Sequence, residues 1–207
     1  MTPPGSRRSC GRWPTRHGLV NKLRPDPATG GTVDATLDLV LLEPRHAPML
    51  YSLVDDNRAH LRRYLPWVDG TRSVQDSMQY ITASLEQFAR SQSLQVGIFS
   101  GNTLAGMCGY HLIDWNNRRT GIGYWLAQPF RGQGIMTAVV QRFTQWMFEQ
   151  RPSLVRIEAN VFPTNPASIR ILEKAGFLQE GYHRKVHLKA GKYLDGVMMA
   201  VIRSPES

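Results

Sequence analysis

The segment Arg131-Gly132-Gln133-Gly134-Ile135-Met136 constrains this 207-residue chain more than any other. The apolar, aromatic run Ile122-Gly123-Tyr124-Trp125-Leu126 before it has strand character, and Ile135, Val139, Phe143, Trp146 and Met147 after it recur at helical spacing. The pattern is strand, glycine-rich turn, helix. Backbone N–H groups at such a turn, with the positive end of the helix, form a cradle for anionic phosphate. Two other phosphate motifs are excluded. No Gly-Lys-Ser/Thr follows, as a P-loop requires, and the three-glycine spacing of a dinucleotide fingerprint is missing.

The rest of the chain reads as one α+β domain over residues 37–203. Leu37-Asp38-Leu39-Val40-Leu41-Leu42 reads as a first strand, and Leu50, Leu53 and Val54 share one helix face. Ser73 with Asp76 makes a capping-box-like start for a second helix, whose stripe is Val74, Met78, Ile81, Leu85 and Phe88. Strands over 94–98, 103–113 and 119–127 meander antiparallel. After the glycine turn and its helix come a strand over 155–161 and a helix after Asn165. Two closing strands, about 177–188 and 192–202, meet at Ala190-Gly191. Residues 1–36 carry Pro, Gly, Arg and Thr with almost no apolar periodicity, the composition of a disordered basic leader, and 204–207 form a tail.

Composition narrows the function classes. No apolar run approaches the roughly 18 residues of a membrane span. Cys10 and Cys108 are far apart and lack metal-ligand spacing, which fits a reducing cytoplasm. His60, His183 and His187 have no partner spacing for a metal or a triad and read as surface residues. The net charge of +9 is uneven: without residues 1–35, which hold six bases against Asp26 and Asp34, about +5 remains. Contact with nucleic acid or the ribosome through the leader stays open, but no zinc-finger, helix-turn-helix or RNA-binding signature accompanies the charge.

Thr164-Asn165-Pro166-Ala167-Ser168-Ile169-Arg170, leading into Ile171-Leu172-Glu173-Lys174-Ala175-Gly176-Phe177, lies roughly 30 residues beyond the glycine turn. With that turn, it resembles the GCN5-related N-acetyltransferase (GNAT) superfamily, and within it the ribosomal-protein-serine N-acetyltransferases of the RimL/RimJ type. The likeness spans about residues 37 to 203 in the expected order. Met136 departs from the small residue usual at the end of the turn, as RimL-like members do. The resemblance implies a mixed, mostly antiparallel sheet of six or seven strands flanked by helices and splayed at the coenzyme site. It implies transfer of acetyl from acetyl-CoA to a primary amine by direct attack, with no metal. The remaining positive charge suits the coenzyme's pyrophosphate and 3′-phosphate.

Carried over residue by residue, the resemblance assigns the pyrophosphate to Arg131, Gly132, Gln133, Gly134, Ile135 and Met136. Backbone N–H groups near Trp125, Leu126 and Ala127 would polarise the thioester carbonyl. Asn165, also a good helix cap before Pro166, would lie along the pantetheine arm. Ser168 would protonate the departing thiolate, a task many relatives give to a tyrosine that the helix 165–175 lacks. Subfamily members often carry a glutamate where this chain has Gly121, so Glu158, Asp114 and His111 are the substitutes in view for a general base, with Glu158 placed first. Trp67 and Asp69, in Tyr64-Leu65-Pro66-Trp67-Val68-Asp69, match the segment that walls the acceptor site.

The leading acceptor is a protein N-terminal α-amino group of ribosomal-protein type. A small amine (an antibiotic, a polyamine or an amino-acid conjugate) is the alternative, and a coenzyme-binding regulator that has lost catalysis is a further one. The resemblance also implies a homodimer.

Overall fold

Apolar residues recur at every second position along Leu37–Leu41, and a strand with that period hides one face. In the computed structural model, which describes residues 20–23 and 36–203, this strand (β2) lies near one edge of an eight-stranded sheet. The other strands are β1 (Val20–Leu23), β3 (Leu94–Ser100), β4 (Thr103–Asp114), β5 (Arg119–Leu126), β6 (Arg156–Val161), β7 (Leu178–Lys189) and β8 (Lys192–Ile202). Their order is β1-β2-β3-β4-β5-β6-β8-β7, antiparallel throughout except for β5 against β6. The mixed, mostly antiparallel sheet expected from the sequence is present, with one strand more than the expected six or seven. The extra strand, β1, falls within residues 1–36, so four residues read as leader pair with β2. The remainder of that leader and the tail lie outside the described residues.

Among the described residues, five α-helices cover the sheet. Helices α1 (Ala47–Asp56), α2 (Arg58–Leu61) and α3 (Val74–Ala89) bring Leu50, Val54, Leu61 and Ile81 onto one face, against Leu104 and Met107 of β4. Helix α3 starts where the sequence placed it, with the Ser73 hydroxyl accepting the Asp76 N–H at 3.2 Å. Helices α4 (Ile135–Gln150) and α5 (Pro166–Lys174) cover the opposite face. Phe143 of α4 is fully buried between Tyr110 of β4 and Trp146, with ring centroids at 4.6 and 5.7 Å.

The sheet has a built-in gap. β5 and β6 pair in register only from Arg119↔Arg156 to Gly121↔Glu158. Beyond Gly121 the two strands part, so the last five residues of β5 have no ladder partner on that side. The gap opens directly before the glycine turn. This is the splay that the resemblance implies.

Candidate active site

Where β5 leaves β6, the chain passes through Gln128–Phe130 into the glycine turn and α4. Gly132 and Gly134 both have φ of 75°, the left-handed region that only glycine enters without strain. A side chain at Gly132 would meet nothing within 4 Å, so the turn presents bare backbone to open space. Gly134 is the residue before the first turn of α4, whose leading N–H groups have no acceptor within the helix. A cleft of about 460 Å³ lies against this turn, between β5, α4 and α5.

The cleft collects most of the residues singled out from the sequence. Trp125, Leu126, Arg131, Gly132, Gly134, Ile135, Met136, Asn165 and Ser168 line it. Gln133 instead braces the turn, its side-chain amide donating to the Pro129 carbonyl at 2.7 Å. Ala127 is unavailable as a carbonyl-polarising donor: it is buried, and its N–H bonds the Ala105 carbonyl at 2.9 Å. Hydrogen-bonding groups alternate sides along a strand, so that bond turns the N–H of Leu126 toward the gap. The stretch Trp125–Ala127 thus narrows to Leu126 as donor.

Ser168 stands in the first turn of α5, whose cap is Asn165: the Asn165 Oδ1 accepts the Ser168 N–H at 3.3 Å. Replacing Asn165 with alanine should lower folding stability by about 1 kcal/mol. Chemical denaturation would show this as a lower midpoint with an unchanged slope. The Ser168 hydroxyl is 2.9 Å from the Tyr124 hydroxyl, which also lies 3.2 Å from the Ser168 carbonyl. Burial pushes the Tyr124 phenol well above its ordinary range, so it stays protonated at neutral pH. No local pattern announces this contact, because residues 124 and 168 meet only across the tertiary fold.

Three basic side chains of the cleft are not placed there by the sequence pattern. His60 lies 3.3 Å from Arg131, ring nitrogen to guanidinium, and lines the cleft instead of the outer surface. Burial, with Arg131 and Arg63 nearby, holds its pKa below 6.5 and keeps it neutral. Arg170 and Lys174, one turn apart on α5, line the same cleft. Their i, i+4 spacing on a helix that also presents Ala167 and Ile171 was the available signal.

Other candidates sit elsewhere. Trp67 packs on Trp125, centroids 6.1 Å apart, against the sheet face covered by α1–α3. Asp69 is paired with Arg62 at 2.7 Å, which weakens its offer to a cationic amine. Glu158 is outside the cleft lining, with its carboxylate 2.8 Å from Arg156 and 3.8 Å from Arg119. Asp114 also faces Arg119 at 3.8 Å. His183 and His187 share Asn160, at 3.2 and 3.0 Å. Among the described residues, no group of three or more His, Cys, Asp or Glu side chains is placed to hold a metal.

The architecture and cleft have counterparts. The family model of the acetyltransferase (GNAT) domain matches residues 36–178. The chain belongs to the GNAT family. GNAT relatives include YdaF of Bacillus subtilis, provisionally described as a ribosomal N-acetyltransferase, 30% identical over 80% of this chain and 87% of that protein. The ribosomal-protein-serine acetyltransferase of Escherichia coli is 26% identical over 79% of this chain and 90% of its own length. Among solved structures, RimL, the ribosomal L7/L12 α-N-protein acetyltransferase in complex with coenzyme A, superposes with a TM-score of 0.77. It is 27% identical, over 84% of this chain and 97% of that one. The GNAT chain described here is an acetyl-CoA-dependent N-acetyltransferase. Its bare glycine turn and the cations Arg131, Arg170 and Lys174 fit a polyanionic coenzyme.

Proposed function

We propose that this enzyme acetylates the α-amino terminus of a protein, a ribosomal protein in the leading case, in the cytoplasm. The observation that carries the reading is that no carboxylate lines the cleft among the described residues. An α-amine with pKa about 7.7–8.0 is substantially neutral near pH 7.5, whereas a lysine near 10.4 is not. An acceptor of the first kind asks little of the protein; the second would need a strong local base. The relatives that act on ribosomal-protein N-termini support the same reading. No described helix is long and apolar enough to cross a membrane, which is compatible with it.

In this reading Gly132 and Gly134 bring backbone N–H groups to the pyrophosphate, and Leu126 N–H meets the thioester carbonyl. Acetyl-CoA supplies an acyl group activated as a thioester. Ser168 gives its hydroxyl proton to the departing sulfur, with Tyr124 holding the Ser168 oxygen in place. A homodimer is proposed with it, supported by Leu178, Tyr182, Val186 and Leu188, which stand exposed on the edge strand β7. Light scattering coupled to gel filtration checks the dimer.

A thiol-release assay with acetyl-CoA tests the acceptor. Its panel holds peptides with Ser, Ala, Thr or Met N-termini, their Nα-blocked lysine-containing counterparts, spermidine and an aminoglycoside. Release with free-N-terminus peptides alone is the expected result. Release with spermidine or the aminoglycoside alone would move the function to small amines. Coenzyme binding without release from any member would mark a regulator.

A further inference from the structure

The acceptor amine must lose a proton as its nitrogen bonds to the acetyl carbon. Two faces of the sheet are available near the gap. One carries α4 and α5; on the other, α1–α3 reach Met107 of β4 and Trp125 of β5, and the cleft, lined by Leu61 and Trp125 as well as by α4 and α5, opens at the gap between the two. Side chains of a strand alternate between faces, so Gly123 and Gly121 share the face of Trp125. Across the pair, His111 of β4 is directly opposite Gly121.

With no side chain at either glycine, the imidazole of His111 leans onto β5. A Cβ at Gly121 would lie 2.7 Å from its Nε2, and one at Gly123 would lie 3.4 Å from its Cε1 and 3.7 Å from its Nδ1. The ring therefore extends along β5 over residues 121 to 123, where β6 has just parted from it. Two residues of strand, about 7 Å, separate Gly123 from Trp125. The Leu126 N–H, to which the thioester carbonyl is assigned, lies one residue further on, so the amine's proton passes to His111 through bridging water. Trp67, packed against Trp125 with the two rings tilted by 51°, walls the same face.

We propose that His111 is the general base of this enzyme, and that the amine approaches over Gly121 and Gly123, on the sheet face that carries Trp125. The proposal rests on the acetyl-transfer reading given above. His111 receives the proton released as the amine nitrogen bonds to the thioester carbon. Ser168 gives a proton to the sulfur as the carbon–sulfur bond breaks, and solvent exchange restores both groups.

Titratable groups on the neighbouring strands are engaged with one another. Asp114 of β4 and Arg119 of β5 face each other, and Arg119 and Arg156 flank Glu158 of β6. His183 and His187 of β7 are held by Asn160. The backbone carbonyl of His111 accepts the Thr120 hydroxyl at 3.0 Å, and among the described residues no group hydrogen-bonds its ring nitrogens. Although more than a third of the residue is exposed, desolvation of the ring lowers its pKa below 6.5. The neutral, proton-accepting form is then dominant at neutral pH, and it is lost as pH falls through that lowered value.

The test uses the full chain, with a short peptide bearing a free N-terminal serine and spermidine as probes. His111→Gln should lower kcat about 10²-fold and leave the acetyl-CoA dissociation constant unchanged. The acid limb of its kcat/KM profile, below pH 6.5 in the wild type, should give way to one that follows the amine's own pKa. Gly121→Ala keeps the imidazole but drives a Cβ into its place, so it should show a similar loss. Without coenzyme, the His111 ring resonance should titrate below pH 6.5 and shift on addition of the serine peptide but not of its N-acetylated form. His111→Gln activity within twofold of wild type, with the acid limb intact, overturns the proposal while the acetyltransferase reading stands. A wild type silent toward both probes defeats that reading, and this proposal with it.

Discussion

Ser168→Ala is expected to lower kcat about 10³-fold with little change in the affinity for acetyl-CoA. Ser168 lines the cleft in the first turn of α5, and its hydroxyl meets that of Tyr124 at 2.9 Å. Removing one oxygen from this site leaves the cap intact, because the Asn165 bond uses the Ser168 backbone N–H. The loss should therefore appear in turnover and not in the melting temperature. Tyr124→Phe distinguishes donor from brace. If tyrosine only orients the serine, its loss costs about tenfold or less, the worth of one neutral hydrogen bond. A Ser168→Ala enzyme that keeps near-wild-type kcat, beside a Tyr124→Phe enzyme that has lost it, would transfer the role to the tyrosine.

Gly134→Val should weaken acetyl-CoA binding about 10³-fold, on two grounds. A β-branched residue is strained at a φ of 75°, which costs on the order of 1–2 kcal/mol for an ordinary residue and more for valine. The new side chain would also stand between the coenzyme's phosphates and the first N–H groups of α4, lengthening the contacts that make the helix end an anion site. Isothermal titration with acetyl-CoA reads the affinity, and thermal melting of the free enzyme reads the strain. Tight binding retained by a destabilised variant would falsify the cradle while leaving the backbone argument in place.

Local patterns were enough to locate most elements. The apolar alternation of Leu37–Leu41, the stripe of α3, the Ser73 and Asn165 caps and the glycine turn are each set by residues within a few positions of one another, which is the range over which backbone and side chain act directly. The strand β1 was hidden because Val20–Leu23 has too short a pattern to stand out from its polar surroundings; its partner β2 lies 14 residues further on. That the glycine turn and the helix after Asn165 would line one cleft was likewise legible, since the turn is a local backbone shape and the family likeness rests on the same two short segments.

What the sequence by itself determined is therefore the fold, the glycine turn and, through the family resemblance, the transferase chemistry, all carried by contiguous runs. Only the tertiary structure decided the rest. It joined Tyr124 to Ser168 and laid His60 beside Arg131. It gave the Ala127 N–H to Ala105, and it placed the His111 ring over a glycine ten residues away. Hydrogen bonds, ion pairs and close packing act over a few ångströms in space whatever the separation along the chain. Which groups they bring together depends on strand register and on where β5 and β6 part.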